Sequence, residues 1–252
     1  MDHEAELRVM WTAVFAVVAA LATFGGGVLA TLPGRLAHSR LNHLIAFGAG
    51  YMLAAALVSL LPESLALLDQ APLCVLAGYV MAHMFEHTFT SHFHFGEETH
   101  AEHVVDPRVG IGALVGLALH SFFDGVAISS GFLVTPSLGV LVALAVILHK
   151  VPEGVTISSV MMASGRSRAN ARKAAGLLAV ATLVGAAGMA WMGEGVKGIG
   201  LALSCGVALY VAATDLIPEI NQLEKRVYSF SALFGVVLYF GVHALMSKLG
   251  IH

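Results

Sequence analysis

His120-Ser121-Phe122-Phe123-Asp124-Gly125 and His149-Lys150-Val151-Pro152-Glu153-Gly154 are the two stretches whose reading decides the fold. Each sets a histidine four positions ahead of a carboxylate and closes on a glycine. Residues four apart share one face of an α-helix, so imidazole and carboxylate point the same way. Each hexad is half a metal site. Both lie deep inside long apolar runs, 109–132 and 138–163, which raises the question of what surrounds them.

The chain of 252 residues is 58% hydrophobic and only 12% charged, far from a soluble domain. Mean hydropathy is +0.83. An integral membrane protein follows, with the lipid bilayer as its surroundings. A net charge of -3 and dispersed Lys and Arg give no basic patch, so no nucleic-acid partner is expected. Cys74 and Cys205 stand apart in apolar runs and outside any CxxC pair, so neither a disulfide framework nor a thiolate metal site is indicated. The first apolar run, Val9–Leu32, lacks a basic leader and is too long for a signal peptide, so it is expected to remain as a span.

A membrane-crossing helix needs about 20 mostly apolar residues. Eight stretches qualify: 8–32, 42–68, 73–91, 109–132, 138–163, 173–192, 198–221 and 229–249. The expected fold is an all-α membrane protein with one transmembrane domain over 1–252. Arg35, Arg40, Arg108, Arg166, Arg168, Arg172, Lys173, Lys225 and Arg226 fall in odd-numbered loops, which predicts that those loops are cytoplasmic. Both termini then face outward, and the polar loop 91–108 faces the cytoplasm. A plasma or inner membrane is the expected location.

Gly50–Glu63 (GYMLAAALVSLLPE) aligns without gaps to Gly206–Glu219 (GVALYVAATDLIPE), matching Gly50 to Gly206, Pro62 to Pro218 and Glu63 to Glu219. An odd separation of spans makes the two stretches cross in opposite directions, as the two hexads do. Inverted repeats whose interrupted polar helices meet at the midplane are a transporter pattern.

An ionisable group at mid-membrane costs about 2.5–3.5 kcal/mol on insertion scales. Four such groups, His120, Asp124, His149 and Glu153, offset that cost if they converge on a divalent transition metal between the fourth and fifth helices. Nitrogen and oxygen ligands suit zinc best, then iron, manganese, cobalt or cadmium. The ion would be cargo, and no catalytic cofactor is expected. Pro152 removes a backbone donor and crowds the Leu148 carbonyl, which predicts a kinked fifth helix just before Glu153. Gly125 and Gly154 allow close helix approach or access to backbone carbonyls.

With these residues quoted, the chain resembles the ZIP (Zrt/Irt-like protein) metal transporters: eight spans, outward termini, a His-rich loop after the third span, His-x-x-x-Asp-Gly and then His-Lys-x-Pro-Glu-Gly. The resemblance implies movement of zinc or related divalent ions toward the cytoplasm, with His120, Asp124, His149 and Glu153 as the transport site. Two residues depart from the pattern. Ser121 stands where the family usually has Asn, and Lys150 stands where two-metal members carry a carboxylate. Since 173–192 holds no acid, a single-metal site is expected, with Ser121 and Lys150 as secondary residues.

His83, Glu86 and His87 close the third span, and Asp215 and Glu219 lie near one end of the seventh, so an exit path between them is one reading. Ordinary polar helix ends are the other. His92, His94, His100 and His103, with their neighbouring glutamates, either bind metal loosely or belong to a solvated linker. Gly112-x-x-x-Gly116 suits a helix contact, and a homodimer is a partner it would serve.

Two other functions compete with uptake. A cation-diffusion exporter would be expected to have six spans and inward termini. An intramembrane zinc hydrolase of the HExxH kind needs a Glu directly after its first His, where this chain has Ser121 or Lys150. No phosphate-binding loop for an ATP-driven pump is present.

Overall fold

The computed structural model describes residues 3–32, 38–89, 107–222 and 226–250. Among the described residues every regular element is helical, as an apolar chain in lipid requires, because only a helix satisfies its own backbone. The elements are α1 (His3–Thr31), α2 (His38–Ala55), α3 (Leu61–Leu67), α4 (Ala71–Phe89), α5 (Pro107–Val134), α6 (Pro136–Ala163), α7 (Arg168–Met192), α8 (Lys197–Tyr210), α9 (Ile217–Gln222) and α10 (Arg226–Lys248). Seven stretches of described helix are long and apolar enough to cross a membrane, while Ala71–Glu86 in α4 is a shorter apolar helix.

Local chemistry sets the ends. Thr135 alone separates α5 from α6: extended, it accepts the Leu138 amide on its hydroxyl at 3.1 Å, and Pro136 opens the next helix. Ser167 caps α7 by accepting from the Asn170 amide at 3.2 Å. Gly193 closes that helix with φ +72°, a left-handed conformation that a side chain disfavours.

Two interruptions add to the sequence reading, which gives the extents of spans two and seven but locates no break inside them. A π-helical segment, Ala56–Leu60, joins α2 to α3, and another, Val211–Leu216, joins α8 to α9. The same hydrogen bond closes both: Leu61 N–H to the Ala56 carbonyl, and Ile217 N–H to the Ala212 carbonyl. The next residue in each case is a proline, Pro62 or Pro218. A proline has no amide to donate and its ring pushes against the carbonyl four residues back, so the preceding turn widens to keep its remaining bonds.

The core surrounds α5 and α6. Most of α6 from Leu138 to Met161 is buried, whereas α10 buries only Tyr228, Gly235 and Tyr239. Large apolar side chains stay exposed along α1, α4 and α10, where lipid would meet them. α1 packs on α6 and α7, α5 on α6, α7 and α8, α4 on α8, and α2 on α10 and α6.

Glycines set the crossing points in reciprocal pairs. A Cβ on Gly154 would strike the Thr23 carbonyl of α1, and one on Gly26 the Val151 carbonyl of α6. Gly125 and Gly185 meet the Thr182 and Phe122 carbonyls between α5 and α7. Gly206 and Gly78 meet Val75 and Leu203 between α8 and α4, while Gly50 and Gly235 meet Ala232 and Phe47 between α2 and α10. Of the two roles open to Gly125 and Gly154, close helix approach is the one observed.

Candidate metal centre

α5 and α6 run on either side of Thr135 as a pair, and their polar hexads face each other. His120, Asp124, His149 and Glu153 are all buried, and one ligand atom from each lies within 4.8 Å of the others. Four ligands at about 2.1 Å around one tetrahedral zinc would sit about 3.4 Å apart, so the widest separation in the group exceeds a closed shell by at most about 1.4 Å. The imidazoles of His120 and His149 lie side by side with ring centroids 5.4 Å apart. α6 stays helical through Pro152 to Ala163, so the proline removes one backbone bond without ending the helix that carries Glu153.

Asp124 is the hub. Its Oδ2 lies 3.2 Å from His120 Nε2, 3.3 Å from His149 Nε2 and 2.7 Å from Lys150 Nζ. His149 Nδ1 meets the Ala145 carbonyl at 2.8 Å, a pure acceptor, so that nitrogen donates and carries the hydrogen. His149 Nε2 in turn lies within hydrogen-bond distance, 3.3 Å, of Asp124 Oδ2. Neither nitrogen of His120 has a hydrogen-bond partner, because its contact with Asp124 lacks hydrogen-bond geometry. A buried imidazole without partners costs free energy unless something else coordinates it.

Lys150, fully buried, has all three of its N–H groups engaged. It donates to Glu153 Oε2 at 2.5 Å and Ser121 Oγ at 3.0 Å, besides pairing with Asp124. The Ser121 hydroxyl in turn donates to Glu153 Oε1. Ser121 therefore holds Glu153 and Lys150 together, a use that its weakness as a metal ligand does not suggest. With both carboxylates charged, the ammonium leaves the group at about -1, before any ion arrives.

A cavity of about 20 Å³ adjoins Asp124 and His149, room for a single water-sized occupant. Its other walls are nearly all apolar, including Met52, Ala55 and Leu60 from the α2 side and Val207 and Ala208 from α8. Ser204 is the remaining polar lining residue, and its hydroxyl donates to the Phe123 carbonyl at 3.2 Å.

Of the secondary candidates, His83 and Glu86 have described side chains. His83 is exposed on α4, with its ring edge-on to Tyr210 at 5.8 Å, just before the second π segment; Glu86 is half-buried one turn further along α4. His87, Asp215 and Glu219 lie on helical backbone, but their side chains fall outside the described residues, as do His92, His94, His100 and His103 entirely. Gly112 and Gly116 lie on α5.

A family model described as ZIP Zinc transporter matches residues 105–247, a span that holds both hexads. Comparison with the curated proteins gives no match. With the match covering more than half the chain, and with the buried histidines and carboxylates inside it, the protein belongs to the ZIP zinc transporter family.

Proposed function

We propose that the protein carries divalent transition-metal ions, zinc foremost, toward the cytoplasm through a site made by His120, Asp124, His149 and Glu153. The observation that carries this reading is the convergence of four buried ligand atoms in which both His120 nitrogens lack hydrogen-bond partners. A divalent ion would take up the idle imidazole of His120 and exchange the hydrogen bond between His149 and Asp124 for coordination by both groups. Lys150 and Ser121 would hold Glu153 and Asp124 from behind, as outer groups do around metal sites. Hydrolysis is disfavoured by the same contacts, since Glu153 is engaged by Ser121 and Lys150 and is not free to act as a general base.

The finer architecture we propose is eight spans with α4 as the third, arranged as inverted repeats, with both termini outside. The matching π segments and the glycine pairs support the repeat. Gly50 on α2 and its aligned Gly206 on α8 each seat on a different helix by the same device, α10 in one case and α4 in the other. The pairing of α1 with α6 likewise has its counterpart in that of α7 with α5.

Uptake of a panel of labelled ions into proteoliposomes, at two pH values, tests the reading. Zinc should accumulate saturably, and His149→Ala and Glu153→Ala should each abolish uptake while inserting normally. Full uptake by both variants would remove the site assignment. Loss of a lipid amide or peptide bond without ion movement would favour the hydrolase.

A further inference from the structure

The first π segment, Ala56–Leu60, lies between the cavity at the metal centre and α10. Leu60 lines that cavity together with Asp124 and His149. Its neighbour Ser59 shares a 2.5 Å hydrogen bond with the hydroxyl of Tyr239 on α10. Ser59 is 7% exposed and Tyr239 is fully buried. The Tyr239 ring is fixed by edge-on packing against Tyr51 at 5.7 Å and Phe240 at 5.3 Å, so its hydroxyl is presented to Ser59 from a set position. A π turn carries one more residue than an α turn, and converting it to α geometry would rotate the segment by about 100° against its surroundings. Such a rotation would take Ser59 away from Tyr239 and Leu60 away from the cavity wall together.

We propose that Tyr239 is a positioning residue for transport: through Ser59 it holds the π segment where Leu60 closes the cavity over Asp124 and His149, and breaking that hydrogen bond is a step in ion passage. The proposal rests on the reading that ions pass through this site. Tyr239 is far along a helix that contributes no ligand, yet its hydroxyl is spent on the one hydroxyl that the π segment offers.

Removing one hydrogen bond that favours the closed setting should raise turnover about fivefold, the equivalent of about 1 kcal/mol. Tyr239→Phe and Ser59→Ala should each have this effect while the Kd for zinc, read by calorimetry, stays within about twofold. The double variant should do no more than either single, and Ser59→Thr, which keeps the hydroxyl, should retain the original turnover. A readout independent of transport uses Leu60→Cys in a background carrying Cys74→Ser and Cys205→Ala: its reactivity toward a small thiol reagent should rise when Tyr239→Phe is added. Additive single effects, unchanged turnover, a shifted Kd, or unchanged Leu60→Cys reactivity would overturn the proposal. If the unmutated protein moves no zinc, the transport reading falls instead, and the thiol reactivity still decides whether Tyr239 fastens the segment.

Discussion

Lys150 decides the charge of the centre more than any ligand does. Its ammonium touches Asp124 at 2.7 Å and Glu153 at 2.5 Å, the two carboxylates that would also bind the ion, so it competes with the metal for the same oxygens. With the ammonium present, a divalent ion brings the group from about -1 to about +1; without it, from about -2 to neutral. Lys150→Ala should therefore bind zinc more tightly at equilibrium, by about tenfold or more, and release it more slowly. Calorimetry on purified protein gives the affinity and the stoichiometry together: unchanged affinity in Lys150→Ala would discard this competition, and two tightly bound ions in the unmutated protein would discard the single-metal site. The convergence of His120, Asp124, His149 and Glu153 was legible because the i, i+4 spacing is a property of the helix itself. The need of Lys150 for a partner was legible too, from the cost of burying a lone cation. The link made by Ser121 was not, because a serine after a histidine has many uses and only the juxtaposition of α5 and α6 turns its hydroxyl toward Glu153.

Helix-scale features divide in the same way. Apolar length located the helices to within a few residues, and the ends moved where caps decide: α5 and α6 come within one residue of each other because Thr135 and Pro136 make a tight break that a hydropathy count blurs. The π segments escape any hydropathy count, since a widened turn contains the same residues as a regular one. Their signal was present as the shared Leu/Ile-Pro-Glu ending of the two aligned stretches, where proline takes away an amide. Glycine spacing alone likewise gave no partners, and the structure pairs Gly206 with the Val75 carbonyl and Gly78 with the Leu203 carbonyl. A methyl group at either position drives two helix backbones apart. Gly206→Ala should lower stability by about 1–3 kcal/mol, the usual range for an overpacked contact. Gly188→Ala, where an added Cβ meets nothing within 4 Å, should be neutral and serves as the control. Thermal unfolding in detergent compares the two, and equal melting temperatures would show that the α4–α8 crossing tolerates separation.

At the scale of the whole molecule, three contacts between helix ends bear on whether α4 crosses the membrane, the one span that apolar length leaves short. Arg8, near the start of α1, donates to the Leu133 carbonyl at the end of α5 at 3.0 Å, so those two ends lie on one side. His43, early in α2, meets Ser231, early in α10, at 2.8 Å. Gly198 at the start of α8 sits beside Leu67 at the end of α3, where an added Cβ would lie 3.4 Å from the leucine's own. Each contact requires an even number of crossings between the ends it joins. Counting α4 as a crossing gives an even number in every case, and omitting it gives an odd number in every case. On the proposed count of eight crossings, the loops before and after α4 would lie on opposite faces, and the distribution of basic residues would put the odd loops in the cytoplasm. In cells expressing the Cys74→Ser, Cys205→Ala background, Asp69→Cys should react with a membrane-impermeant thiol reagent added outside, and Thr99→Cys should react only after the membrane is opened. Labelling of both from the same side would mean that α4 does not cross. Labelling of Thr99→Cys alone from outside would keep eight crossings but reverse the orientation, placing the termini in the cytoplasm and requiring the proposed direction of ion movement to be re-derived.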